Sequence, residues 1–177
     1  MFTQEFKAAA FSSATGKWDT PQNVTDDLAT VFDWDCDVCA ERPNVCDFYY
    51  DEEQDGLNHN WLGLCWMNPP YGREIKKWME KARLSGFGMK FKPPLCYETK
   101  TVTAVVCLVP ARTDTQWWHD NVKFASQVVF VKGRLKFGDA TNSAPFPSAF
   151  VVFGDISDRQ RDKLAEYGWS ISTRPPN

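Results

Sequence analysis

The sequence predicts an α/β fold, a mostly parallel sheet flanked by helices and finished by an antiparallel C-terminal hairpin. Three observations predict it. The run TVTAVVCLV, from Thr101 to Val109, is the most apolar in the chain, the pattern of a central strand covered on both faces. Segments of helical and of strand period alternate along the chain instead of segregating. Three strand-like runs then follow closely, Gln127–Val131, Leu135–Phe137 and Ser148–Phe153, with Gly133 and a proline-rich loop between them.

The elements read in order as follows. Thr20-Pro21 opens a helix, Thr20 as N-cap and Pro21 at the first helical position, and Val24, Leu28 and Val31 recur at helical spacing. Phe32 to Val38 alternates as a strand, with Trp34, Cys36 and Val38 on one face and Asp33, Asp35 and Asp37 on the other. Glu41 to Asn60 is polar and acidic and reads as loop. Leu62 to Met67 is a short apolar strand that must end at Pro69-Pro70, because proline cannot continue a ladder. Ile75, Trp78, Met79 and Ala82 mark one helix face, and residues 85–100 read as a basic loop. Trp118, Val122 and Ala125 fit a further helix. Ser157 with Gln160 forms a capping-box pattern for the last one, and Gly168 fits its C′ position.

With 177 residues, 43% hydrophobic content, eight Trp and thirteen Phe, the chain has material for one core and reads as a single domain over 1–177, its first ~15 residues disordered. No apolar run is long enough to span a membrane, and the N-terminus lacks the pattern of a secretory signal, so a cytoplasmic protein is expected. Oligomeric state is not legible; a monomer is the simpler reading. The net charge of −3 hides an asymmetry. Asp19 to Asn60 carries twelve acids and one base, a balance of −11, whereas Gly72 to Gly138 carries thirteen bases and five acids, a balance of +8. Phosphate binding needs a local basic face, not a basic total; solvated surface is the alternative for both stretches. Cys36 and Cys39 form a CxxC with Cys46 nearby, but a complete zinc set is missing, and reduced thiols with no metal are expected.

The chemistry concentrates at Asn68-Pro69-Pro70-Tyr71, directly after a short strand, where open α/β sheets bind ligands. The prolines stiffen the turn and remove two backbone donors, leaving carbonyls without local partners. Asn supplies an acceptor and Tyr a flat ring. Two acceptors on the N–H bonds of a planar amino group free its delocalised lone pair and stabilise the positive charge that develops as a methyl group arrives. The transfer needs in-line alignment and no covalent nucleophile.

At this point the sequence resembles the phage-type DNA N6-adenine methyltransferases. The resemblance spans roughly Trp18 to Phe153. Its blocks are Trp18-Asp19-Thr20-Pro21; Asp35-Cys36-Asp37-Val38-Cys39-Ala40 with Asn44; Asp55-Gly56-Leu57; Asn68–Tyr71; Pro110 to Thr115 with Trp117-Trp118-His119; Lys132 to Phe137; and Ala144 to Ala149. It implies a Rossmann-like methyltransferase fold, S-adenosylmethionine as cofactor and N6 of adenine in double-stranded DNA as acceptor. It implies a catalytic role for Asn68, Pro69, Pro70 and Tyr71, and cofactor contacts for Trp18, Thr20, Pro21, Asp37, Cys39, Ala40, Asp55 and Asn68. The usual glycine-rich loop after the first strand is absent, so the acid that holds the ribose is open, with Asp47 as one option.

Among the bases, Arg73, Lys90, Lys92, Arg112, Lys132, Arg134 and Lys136 are candidates for phosphate, the last three alternating along one strand face, with a solvated edge as the alternative. His119 suits packing or DNA contact better than general-base work, because the methylated ammonium loses its proton to water. Two other readings stay open: a methyltransferase for a protein glutamine amide or an RNA base amino group, and a nucleic-acid-binding module without catalysis. Residues 85–100 and 138–147 are candidate readers of the bases flanking a flipped adenine.

Overall fold

The computed structural model describes residues 18–88, 101–138 and 142–173. Lys90, Lys92, Cys96 and the N-terminal segment expected to be disordered lie outside the described residues. Six strands form one sheet: β1 Cys36–Asp37, β2 Gly63–Met67, β3 Val102–Pro110, β4 Gln127–Val131, β5 Ser148–Gly154 and β6 Gly168–Ser172, in the order β1-β2-β3-β5-β4-β6. The first three pair in parallel, and the β3–β5, β5–β4 and β4–β6 pairs are antiparallel. Both β3 and β4 oppose β5, so β1 to β4 all run one way and only β5 and β6 are reversed.

Helices cover both faces: α1 Gln22–Ala29, α2 Ile75–Gly86, α3 Gln116–Asn121 and α4 Asp158–Ala165. β3 shows why its sequence has no alternation. Val105, Cys107 and Val109 pack toward Ile75, Trp78, Met79 and Ala82 of α2, while Ala104, Val106 and Leu108 pack toward Val24 and Leu28 of α1 and Leu164 of α4. All six of these β3 side chains are fully buried. Truncating one of the larger ones to Ala would cost on the order of 2–5 kcal/mol.

Several expectations are corrected. Helix α1 is capped by Pro21, whose carbonyl accepts from Val24 N–H at 2.9 Å; Thr20 makes no cap, because its hydroxyl is drawn to Asn68. The alternating strand over 32–38 shrinks to Cys36–Asp37. Trp34 packs on one face of the sheet and Cys36 and Val38 on the other, instead of all three sharing a face, and Asp37 is buried. Leu135–Phe137 is irregular, so Lys132, Arg134 and Lys136 do not share a strand face. Leu135 turns inward to the core instead, and its carbonyl accepts from Ala144 N–H. The Ser157–Gln160 capping box forms. Gly168 is not a C′ residue but begins β6, where a Cβ would meet the Phe130 carbonyl oxygen at 2.0 Å.

Candidate active site

The shared direction of β1 to β4 brings five segments to one edge of the sheet. They are Val38 onward after β1, Asn68–Tyr71 after β2, Ala111-Arg112 after β3, Lys132 onward after β4, and Phe146-Pro147 before β5. A cavity of about 260 Å³ opens there, between the chain after β1, the 51–56 loop, the Asn68 turn and Trp18–Thr20. Trp18, Thr20, Asp37, Cys39, Ala40, Asp55, Asn68 and Pro70 all line it, so the structure gathers most of the residues that the sequence nominates for the cofactor. Pro21 does not line it; it serves the start of α1.

The sequence points to only part of this lining. Asp19, Glu41, Arg42, Asn44, Asp51, Glu52, Gly56 and Trp78 also face the cavity, and Asp47 does not. Six carboxylates, those of Asp19, Asp37, Glu41, Asp51, Glu52 and Asp55, thus surround one guanidinium, that of Arg42, which pairs with Asp19 at 3.5 Å. Much of the −11 balance of the N-terminal stretch is therefore focused on one cavity, an arrangement suited to a cationic ligand. The acid count of residues 19–60 is the sequence signal for it.

Asp37 forms the buried end. It is 4% exposed, and Cys39 N–H donates to its Oδ1 at 3.2 Å. Burial pushes its carboxyl up to about 7, with the Cys39 N–H opposing, so it titrates near neutrality. Asp55 has a left-handed backbone, φ 52°, stabilised by its own carboxylate. Oδ1 accepts from Leu57 N–H at 3.1 Å and Oδ2 from Asn58 Nδ2 at 2.6 Å. The next residue must be Gly56, since a Cβ there would lie 2.0 Å from the Val38 carbonyl oxygen.

Asn68 is held from three sides. Its Nδ2 donates to the Trp18 carbonyl and, at 3.0 Å, to Thr20 Oγ1. Its Oδ1 accepts from the Tyr71 hydroxyl at 2.8 Å. Two acceptors on the nitrogen and a donor on the oxygen fix which way the amide faces and leave Oδ1 capacity for one more donor. Burial holds the Tyr71 hydroxyl well above its ordinary value, so it remains a donor. The Tyr71 ring makes edge-to-face contacts with Phe137 at 6.0 Å and Phe146 at 5.4 Å, and Trp18 meets the same two rings. A structural role for the ring thus stands beside the stacking surface read from sequence. Pro69 is buried and Pro70 faces the cavity.

The bases occupy the remainder of this edge. Arg73, Lys132, Arg134 and Lys136 are exposed, Arg112 is half-buried, and His119 is exposed on α3. Cys36 and Cys46 pack into different core clusters, and among the described residues no group of three or more His, Cys, Asp or Glu side chains is placed to hold a metal. None of the helices among the described residues is long and apolar enough to cross a membrane.

Two comparisons with known proteins bear on this edge. The family described as DNA N-6-adenine-methyltransferase (Dam) matches the chain over residues 8–155. A protein of Haemophilus phage HP1 (strain HP1c1), described as DNA N-6-adenine-methyltransferase, is 27% identical over 146 residues, which cover 77% of this chain and 77% of that protein.

Proposed function

The chain belongs to the DNA N-6-adenine-methyltransferase family and methylates adenine N6 in DNA, and we propose that it draws the methyl group from S-adenosylmethionine bound in the acid-lined cavity. The observation that carries this reading is the orientation of Asn68, with its amide locked between Trp18, Thr20 and Tyr71 at the wall of a cavity suited to a cation. S-adenosylmethionine fits that chemistry, having both a sulfonium and an ammonium group, and when bound it supplies an activated methyl group. Asp37, Cys39, Ala40 and Asp55, with Trp18 and Thr20, are the residues that would hold it. Asp51 and Glu52 line the cavity and would hold the ribose; Asp47 does not line it.

On the substrate side, Asn68 Oδ1 and a carbonyl of the Pro69-Pro70 turn accept the two N–H bonds of the adenine amino group. Accepting both draws the lone pair out of conjugation and stabilises the cation formed on nitrogen. No side chain need act as base, because the methylated ammonium gives its proton to water. Arg73, Arg112, His119, Lys132, Arg134 and Lys136 line the approach for duplex phosphates, around an adenine turned out of its stack. The cytoplasm of a bacterial host is the compartment that fits a relative of a phage-encoded methyltransferase.

The test is incubation with labelled S-adenosylmethionine and mixed-sequence duplex DNA, followed by nucleoside analysis. Label in N6-methyladenine is the expected result. Label only in cytosine, in RNA or in protein would overturn the assignment.

A further inference from the structure

One buried charge stands apart from the catalytic turn and the phosphate-facing bases. Lys81 of α2 is 4% exposed, and its Nζ donates to three carbonyls, those of Gly56 at 3.0 Å, Leu57 at 2.7 Å and His59. Only a protonated amine has three N–H bonds for three acceptors, so this environment selects the ammonium form. The ammonium also lies 4.9 Å over the Trp61 ring, whose Nε1 donates to the same Gly56 carbonyl at 2.8 Å. Trp61 in turn stacks on Trp78, a cavity residue one helical turn before Lys81.

We propose that Lys81 is a positioning residue for the methyl donor, fixing the Asp55–His59 turn as one wall of the cavity. The proposal rests on the reading of that cavity as the donor site. The turn needs an external hold for two reasons. Asp55 occupies a left-handed conformation that a residue with a side chain adopts at a cost. Gly56 is pressed so closely on the Val38 carbonyl that the wall has no slack toward β1. Lys81 and Trp61 grip from behind what β1 confines in front. α2 begins at Ile75, with only Gly72, Arg73 and Glu74 between it and the Asn68–Tyr71 turn, so the donor wall is anchored to a helix fixed in the core.

Lys81→Met removes the three hydrogen bonds at nearly constant length, and Trp61→Phe removes only the indole N–H and part of the ring. Isothermal titration of S-adenosylmethionine and S-adenosylhomocysteine into each full-length protein, with circular dichroism as a check of folding, reads the effect directly. In Lys81→Met the Kd for both ligands and the KM for the donor should rise on the order of tenfold or more, as displaced positioning groups do. In Trp61→Phe they should rise less. The kcat at saturating donor and the KM for DNA should stay within about twofold of wild type. Should Lys81→Met not fold, Trp61→Phe is judged by the same criteria. Unchanged donor affinity in a folded variant, or a fall in kcat at constant KM, overturns the proposal alone. Failure of the wild-type protein to bind donor overturns both the donor-cavity reading and this proposal.

Discussion

The two halves of the site edge are built from opposite materials. Around the ends of β1 and β2 and the Trp18–Thr20 segment, six carboxylates surround a cavity with one arginine, and the cavity reaches down to a buried Asp37. Beyond β3 and β4 it presents exposed Lys132, Arg134 and Lys136 over the buried rings of Phe137 and Phe146. Asn68 and Tyr71 sit where the halves meet, the amide facing the acidic cavity and the phenol inserted among the aromatic rings. A net charge of −3 thus says little about the local field, because acids and bases are gathered on different halves.

The sharpest way to break this comparison is at the junction. Asn68→Ala removes the acceptor for the amino group, and kcat should fall by roughly 10²–10³, as when a single oriented donor or acceptor to a developing charge is removed. Donor affinity should change far less, although the amide also ties down Trp18 and Thr20. Single-turnover kinetics beside calorimetry checks it, and equal losses in both would reduce Asn68 to scaffolding.

The next effect belongs to the acidic half. A bound cation favours ionised Asp37, so binding should release a proton, and donor affinity should rise with pH through about 7 and then level off. The limiting slope is about tenfold per pH unit. In the free protein the sign is opposite. A carboxyl raised above its unfolded value contributes stability that is fully present below that value and is lost as pH rises through about 7. Asp37→Asn should flatten both dependences. A variant that keeps the wild-type pH profile of donor affinity would place the titration elsewhere.

A smaller effect is expected in the aromatic half. Tyr71→Phe keeps the ring packing and deletes the hydroxyl that orients Asn68, so kcat should drop roughly fivefold, the worth of about 1 kcal/mol for one hydrogen bond. A drop as large as that of Asn68→Ala would assign the phenol a direct role. The mildest test concerns phosphate. Replacing Arg134 and Lys136 together by Ala should flatten the log–log salt slope of DNA binding by about 0.9 for each phosphate no longer neutralised, leaving donor affinity alone. Coincident slopes would remove these residues from the DNA face.

How much of the molecule is legible in its sequence follows from how local each signal is. The β3 run, the α2 face and the strand that stops at Pro69-Pro70 are dictated by neighbours in sequence, and the structure has all three where the pattern puts them. The functional turn is legible because proline chemistry and strand termination coincide in four residues. Thr20 misleads because a helix-capping hydroxyl and a site hydroxyl look alike until Asn68, 48 residues away, competes for it. Trp34 misleads because alternation with Cys36 and Val38 presumes a long strand, and β1 has two residues. The stretch 135–137 has strand-like composition, yet Leu135 and Phe137 are used to cover the Asn68 turn side of the core. Lys81 leaves no trace at all: a lysine on a helix is ordinarily solvated, and its three acceptors lie more than twenty residues upstream.

The aromatic contact of Trp18 with Phe137 and Phe146, reinforced by the Gly138 N–H donating to the Asp19 carbonyl at 2.8 Å, joins the two ends of the matched region across the site. Closing so long a loop carries an entropic cost, and contacts of high sequence separation slow folding. The Trp18 carbonyl that holds the Asn68 amide is thus backed by rings from the segment between β4 and β5. The orientation of the amide therefore depends on long-range closure of the chain as well as on its own turn.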